Sequence, residues 1–88
     1  MFISASDRTM GKLHQIGNII IRVYANDHLP PHFHIVAPDF QALVEIATQK
    51  VLRGSIESQS KEVEEWIAAN IGLIAAEWNR INPQFPIA

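Results

Sequence analysis

The amino-acid sequence predicts an α+β fold, in which an antiparallel four-stranded meander sheet packs against one long C-terminal helix. Short runs between residues 19 and 56 alternate apolar and polar side chains, as half-buried strands do. From about residue 60 the apolar side chains recur at spacings of three and four, which is typical of one face of a helix. The connections between the predicted strands are short, and short connections favour antiparallel neighbours.

The predicted strands place several polar side chains on a common face. In the first strand Arg22 and Tyr24 share a face, because successive side chains of a strand point to opposite sides of the sheet. In the second strand His32 and His34 share a face for the same reason. The four predicted strands are residues 19–25, 32–37, 42–48 and 51–56.

A single helix is predicted over residues 60–81. Its apolar stripe contains both tryptophans, Trp66 and Trp78, which we expect to lie in the core rather than to bind a ligand. Gly72 lowers the helix propensity in the middle and is expected to mark a bend or a close contact. The residues predicted to pack together are Trp66, Ile67, Ile71, Ile74 and Trp78 on the helix and Ile19, Ile21, Val23, Val44 and Ile46 on the strands.

The length of the chain indicates one domain. Domains commonly contain about 100–150 residues, and the 88 residues here leave room for a single thin core. We therefore predict one α+β domain over residues 12–88, preceded by a short polar leader at residues 1–11. A core of this size makes a monomer marginally stable, which favours a homodimer, because pairing buries further apolar surface.

The composition excludes several kinds of protein. The chain has no cysteine, which rules out disulfides, thiolate nucleophiles and cysteine-based zinc sites. It has no apolar run of the roughly 18 residues that a membrane helix needs and no apolar signal-peptide segment near its N-terminus, so we expect a cytoplasmic location and no membrane partner. The net charge of −2 means that any RNA contact must come from a local basic patch.

One short segment concentrates the residues that can carry out chemistry. Asp27, His28, His32 and His34 occur within eight residues and include three of the four histidines. The pair Pro30-Pro31 stiffens the connection between them, which lowers the entropic cost of holding these side chains in place. Imidazole groups bind divalent metals and also transfer protons near neutral pH. This segment is therefore the candidate functional site.

Three interpretations of the segment follow from the residues alone. In the first, His28, His32 and His34 bind a divalent ion such as zinc, with Asp27 as a further ligand or as the carboxylate that orients one ring. In the second, one histidine is a general acid or base that acts on a bound phosphate. In the third, the segment is structural and the histidines pair with the backbone or face solvent. The candidates for holding the phosphate are Arg22, Tyr24 and Arg53.

Residues 26–34 read N-D-H-L-P-P-H-F-H, a string that resembles the hallmark of a bacterial family known as domain of unknown function 4160. The similarity covers about residues 17–80 and includes Leu52-x-Gly54-Ser55 and the two tryptophans of the predicted helix. Members of this family are encoded beside a second small protein, in pairs that look like toxin–antitoxin modules. The resemblance therefore implies a small protein partner encoded nearby and an RNA-directed or binding role.

Two classes of function are compatible with this resemblance. In the first, the protein is an enzyme-like toxin that acts on RNA phosphodiesters, with His32 and His34 as acid and base and with Arg22 and Arg53 holding the phosphate. In the second, it is a non-catalytic module that binds a partner protein through a sheet edge or binds a metal ion. The remaining predicted binding residues are Tyr24, Asn26, Asp27 and His28.

Overall fold

A computed structural model describes residues 12–25, 27–54 and 61–87. Within these ranges the chain forms five strands followed by one helix. The strands lie in one sheet in the order of the sequence, and each neighbouring pair is antiparallel, which confirms the predicted α+β class and the meander. The elements are β1 Lys12–Ile16, β2 Ile19–Arg22, β3 His32–Val36, β4 Gln41–Glu45, β5 Val51–Gly54 and α1 Lys61–Ile81.

The predicted number of four strands is wrong, because residues 12–16 form the additional strand β1. A two-residue turn at Gly17-Asn18 joins it to β2, and Gly17 has a φ of 59°. Glycine adopts this left-handed conformation without a steric penalty, so the hairpin can close tightly. A bulge between Lys12 and His14 interrupts the pairing. Because a bulge also interrupts the alternation of side chains, the strand has little sequence signal.

The other predicted strands form with bounds that differ slightly from the prediction. β2 ends at Arg22 instead of residue 25, and β4 occupies Gln41–Glu45 instead of residues 42–48. The remaining predicted strand residues, 23–25 and 46–48, lie in the connection after β2 and in the turn after β4. The predicted leader at residues 1–11 and the predicted strand residues 55 and 56 lie outside the described residues.

The core lies between α1 and the apolar face of the sheet. Ile21 and Phe33 on the strands and Ile74 and Trp78 on the helix are completely buried. Trp66 is only partly buried and packs at the margin of the core. The predicted helix stripe and strand face are therefore confirmed. The buried apolar residues are Ile21, Val23, Phe33, Ile35, Ala37, Phe40, Ala42, Val44, Ile46, Val63, Ile67, Ile74 and Trp78.

The helix bends at Asn70, where φ is −124° and ψ is 21°. The side-chain Nδ2 of Asn70 donates a hydrogen bond to the carbonyl oxygen of Trp66 at 2.8 Å, so the amide satisfies a carbonyl at the irregular turn. Gly72 does not mark the bend, which lies at Asn70. It does not mark a close contact either, because a β-carbon at Gly72 would meet no atom within 4 Å. Among the described residues, no helix has the length and apolar composition needed to cross a membrane.

Candidate functional site

The connection between β2 and β3 carries Asp27 and is held by Asn82, the residue that follows the last turn of α1. The backbone N–H of Asp27 donates to Asn82 Oδ1 at 3.2 Å, and Asn82 Nδ2 donates to the carbonyl oxygen of Tyr24 at 2.9 Å. Asn82 is completely buried, so these bonds do not compete with water. The helix end therefore fixes the backbone on which the Asp27 carboxylate is carried.

The first residue of β3, His32, is fixed by the proline-rich part of the same connection. His32 Nδ1 lies 2.7 Å from the carbonyl oxygen of Pro30, and the Leu29–Pro30 peptide bond is cis. A carbonyl oxygen can only accept, so Nδ1 carries a proton and donates it. The carbonyl oxygen of Pro31 accepts from the backbone N–H of Ile46 at 3.0 Å, which extends the β3–β4 pairing up to the loop.

Two imidazoles converge on one oxygen of Asp27. His32 Nε2 lies 2.9 Å and His34 Nε2 lies 3.2 Å from Asp27 Oδ2. The two rings lie 5.1 Å apart between their centroids. One carboxylate oxygen and the two imidazole nitrogens all fall within 4.8 Å of one another. The structure thus places Asp27, His32 and His34 together, and we refer to these three residues as the histidine cluster.

His28 lies at the edge of this cluster. Its side chain is 75% exposed, and its Nε2 is 3.9 Å from Asp27 Oδ1, the carboxylate oxygen that the other two imidazoles do not approach. Its ring is 5.0 Å from that of His32 between centroids. His28 instead contacts the cluster closely through its backbone, whose N–H donates to Asp27 Oδ1 at 3.0 Å. Of the residues considered as metal ligands, Asp27, His32 and His34 lie together, and the His28 ring lies at their edge.

His32 and His34 both approach Asp27 Oδ2, but they differ in exposure. His32 is completely buried, and its ring centroid lies 5.8 Å from that of Trp78. The residue begins β3, where Asp27, Pro30 and Trp78 lie close to the ring. His34 keeps 23% of its side chain exposed. A large substrate can reach His34 but not His32.

The surroundings lower the pKa of both titrating groups on the accessible side of the cluster. For Asp27, burial acts to raise the pKa, but the hydrogen bonds from His34 and from the His28 backbone and the nearby imidazole charges bring it below its usual 3.8. For His34, burial is the main cause and lowers the pKa below 6.5, although Asp27 opposes it. At neutral pH the carboxylate is therefore ionised and the His34 imidazole is neutral.

A row of basic side chains crosses the sheet face opposite α1, which we call the open face. Lys12 pairs with Arg22, Arg22 pairs with His34, and the row continues through Leu43 to Arg53. Residues that are directly opposite on neighbouring strands share a face. We call these five residues the basic row. It brings the predicted residues Arg22 and Arg53 onto the same face as His34.

A cavity of about 310 Å³ lies on the open face beside the basic row. Tyr24 borders the same region, because its ring meets the His34 ring edge-on with 4.6 Å between centroids. The predicted binding residues Arg22, Tyr24 and Arg53 thus lie near His34, while Asn26 is outside the described residues. The cavity is lined by His34, Gln41, Ala42, Leu43, Arg53 and Gly54.

Two residues of this region were not predicted from the sequence. In the sequence, Asn82 before Pro83 indicates only the end of a helix. No local pattern indicates that the Asn82 amide binds the backbone of Asp27, 55 positions away. Lys12 joins the basic row only because β1 exists and pairs it with Arg22. The Gly17-Asn18 dipeptide was the available signal, since such pairs favour tight hairpins.

Comparison with known proteins identifies one family. The family described as domain of unknown function (DUF4160) matches residues 18–79, which is more than half of the chain. The matched segment contains the histidine cluster and every member of the basic row except Lys12. No curated protein and no solved structure matches the chain.

Proposed function

This chain belongs to the DUF4160 family, and we propose that it binds single-stranded RNA on the open face of its sheet, with His34 at the centre of the site. The observation that carries the proposal is the basic row, in which Arg22, His34 and Arg53 stand on one line across β2, β3 and β5. The description of the family gives no activity, so the proposal rests on the chemistry of these side chains.

The arrangement of the basic row suits a polyanion. Five strands at spacings of about 4.8 Å give the row a length of about 19 Å from Lys12 to Arg53. Arginine offers several N–H donors that match a phosphate group, and Leu43 supplies an apolar contact between the cations. The chain has a net charge of −2, but exposed acidic residues such as Glu62 and Glu64 begin α1, on the other side of the sheet.

The geometry also supports a catalytic role for His34. Its Nε2 donates to the Asp27 carboxylate at 3.2 Å, so the neutral ring keeps its lone pair on Nδ1 and can accept a proton there. Arg22 is its cross-strand neighbour and can hold the phosphate at which that proton transfer takes place. The proposed roles are general base for His34 and phosphate binding for Arg22 and Arg53. His32, being buried, supports Asp27 from the interior.

Binding is tested by the fluorescence anisotropy of a labelled single-stranded RNA over a series of salt concentrations. The double variant Arg22→Gln/Arg53→Gln should bind more weakly, and its salt dependence should fall by about 0.7 in logarithmic slope for each phosphate that the variant no longer neutralises. Arg80→Gln is the matched control, because Arg80 lies on α1 in an exposed pair with Glu77. Equally weakened binding in both variants, or no binding of the wild type at low salt, would contradict the proposal.

Catalysis is tested separately by expressing the protein in bacteria without any neighbouring gene. If His34 acts on cellular RNA, the wild type should arrest growth and fragment RNA, and His34→Ala should relieve both effects. His14→Ala is the control, because His14 stacks on Trp66 away from the cluster. Normal growth with the wild type would contradict the catalytic role of His34, as would recovery of growth with His14→Ala but not with His34→Ala. RNA binding without cleavage would then be the function of the site.

A second candidate function is the binding of a small protein partner along the edge of the sheet. β5 is exposed along its whole length, and Val51 and Leu52 are 44% and 42% exposed, so an extended segment could add to this edge. The resemblance to two-gene modules supports a cytoplasmic partner encoded nearby. Leu52→Glu should reduce co-purification with the neighbouring gene product, whereas Leu73→Glu, at an exposed helix position, should not.

A further inference from the structure

We infer that Asp27, His32 and His34 form a binding site for one divalent transition-metal ion. The ligands are Asp27 Oδ2, His32 Nε2 and His34 Nε2, and the three ligand groups lie within 4.8 Å of one another. In the metal-free protein His34 Nε2–H donates to Asp27, so the ion replaces this proton and the remaining ring proton lies on Nδ1. Metal-bound His34 therefore does not act as the general base, and the two roles belong to different states of the site. The inference goes beyond RNA binding, because it rests on the histidine cluster and not on the arginines of the basic row.

The strongest indication is the environment of His32 Nε2. Since Nδ1 donates to Pro30, the neutral ring leaves Nε2 with a lone pair and no proton. This nitrogen is buried, makes no hydrogen bond and lies 2.9 Å from a carboxylate oxygen. Two atoms that can only accept are thus in contact inside the protein, which is unfavourable unless a cation lies between them.

The alternative is a second proton on His32, and the geometry disfavours it. A proton on Nε2 would have to point at Asp27 Oδ2 to form a charged hydrogen bond, but the two groups are not aligned for one. An ion that accepts the Nε2 lone pair satisfies the atom without an N–H···O alignment.

The distances within the cluster are close to those of a metal centre. Zinc–nitrogen and zinc–oxygen bonds of about 2.0–2.2 Å place neighbouring ligand atoms about 3–3.5 Å apart. The two nitrogens lie 2.9 and 3.2 Å from the shared carboxylate oxygen. Small rotations of the side chains therefore suffice to bring all three atoms into a coordination sphere, and the backbone can stay in place.

The outer contacts of the cluster are those that a metal centre uses. A metal-binding histidine commonly donates its other ring N–H to a backbone carbonyl, which fixes the tautomer and the ring orientation, and Pro30 accepts this bond from His32. The buried side chain of Asn82 holds the backbone of Asp27 through a hydrogen bond. The ligands are therefore held in position before any ion arrives.

The ligand set also selects the kind of ion. Two imidazoles and one carboxylate favour borderline ions such as Zn²⁺, Co²⁺ or Fe²⁺ over Mg²⁺ and Ca²⁺, which prefer oxygen ligands. Three protein ligands leave at least one coordination position free, as in catalytic sites. The exposed part of His34 marks the direction from which water or an anion can enter.

The inference is tested with the full chain, freed of metal with EDTA and then titrated with Co²⁺. A single equivalent should bind, with visible absorption bands that Zn²⁺ removes and Mg²⁺ does not. Asp27→Asn and His34→Ala should lower the affinity by more than the roughly 10- to 100-fold that is typical when a hydrogen bond to a ligand is removed. Both positions are partly exposed, and circular dichroism of the metal-free variants checks that they fold.

Two matched controls separate this site from other sites on the chain. His14→Ala should keep the wild-type Co²⁺ affinity, because His14 stacks on Trp66 outside the cluster. Arg22→Gln/Arg53→Gln should also keep it, which distinguishes a failure of metal binding from a failure of RNA binding. Absence of Co²⁺ bands and of Zn²⁺ binding in the wild type, or wild-type affinity in Asp27→Asn and His34→Ala, would overturn the inference.

Discussion

Asn82 Oδ1 accepts a hydrogen bond from the backbone N–H of Asp27 at 3.2 Å, across 55 positions of the sequence. The same side chain donates to the carbonyl oxygen of Tyr24, so one buried amide joins the end of α1 to two points of the connection that carries the carboxylate. The contact couples the stability of the domain to the geometry of the histidine cluster.

Asn82→Ala should lower the free energy of unfolding by about 1–3 kcal/mol, because it leaves part-buried backbone groups of Tyr24 and Asp27 without this partner. Asn79→Ala is the comparison, since Asn79 bonds the backbone of Ile87 and is only partly buried. Urea unfolding should give a larger decrease in stability for Asn82→Ala. An equal or smaller decrease would show that the loop does not depend on this amide.

The two tryptophans should differ in their contribution to stability. Trp78 is completely buried and its Nε1 donates to the carbonyl oxygen of Phe85 at 2.7 Å, so Trp78→Ala should cost about 3–5 kcal/mol. Trp66 is partly buried and stacks on His14 with 4.2 Å between ring centroids, so Trp66→Ala should cost clearly less. Thermal unfolding of both variants checks the order, and the reverse order would contradict the packing of α1.

Three glycine-to-alanine substitutions should have different effects that follow from their surroundings. At Gly54, φ is 72° and a β-carbon would overlap the carbonyl of Gln41, so Gly54→Ala should be the most destabilising. At Gly17, φ is 59° and a β-carbon would meet no atom within 4 Å. Gly17→Ala should therefore lower the free energy of unfolding only by the cost of holding alanine in the left-handed conformation, about 1–2 kcal/mol. Gly72→Ala in the helix should stabilise by up to about 1 kcal/mol. Chemical denaturation gives all three values, and a stable Gly54→Ala would argue against the β4–β5 pairing.

Stability in EDTA should decrease as the pH falls below 6.5. The pKa of His34 in the folded protein is lowered, mainly by burial, so the unfolded chain binds the proton at a higher pH and is favoured as the pH falls from 6.5 through the lower folded pKa. The lowered pKa of Asp27 adds a second decrease in stability below 3.8. Urea midpoints measured from pH 8 to pH 3 check this.

The matched variants for the pH dependence are His34→Ala and His14→Ala. His34→Ala should reduce the decrease near pH 6, because it removes the group whose protonation is opposed by burial. His14→Ala should retain that decrease. A pH dependence unchanged in His34→Ala would assign the effect to other groups.

The fold could be predicted from the sequence where its pattern is periodic, and not where the backbone is irregular. The stripe of α1 and the alternation of β2, β3 and β4 follow from burial on one face, so the spacing of the apolar residues in the sequence predicts them. β1 was missed because a bulge beside Lys12 disturbs its alternation. The bend of the helix lies at Asn70, where a side-chain hydrogen bond to Trp66 decides the position, and Gly72 gave a misleading signal.

The site was predictable to the extent that it is local. Asp27, His32 and His34 lie within eight residues of one another, so a short loop followed by a strand was bound to bring them close. The burial of His32 could not be predicted, because it depends on Trp78, which is far away in the sequence. The contribution of Asn82 is of the same long-range kind.

The link between Asp27 and Asn82 also sets an order of events during protein synthesis. Asp27 leaves the ribosome 55 residues ahead of the amide that fixes its backbone. A nascent chain therefore carries all three side chains of the histidine cluster before it can hold them in place. Small domains fold as cooperative units, so the cluster is completed only once the final turn of α1 has emerged. The arrangement of the three side chains is therefore reached in a single step, after α1 has emerged.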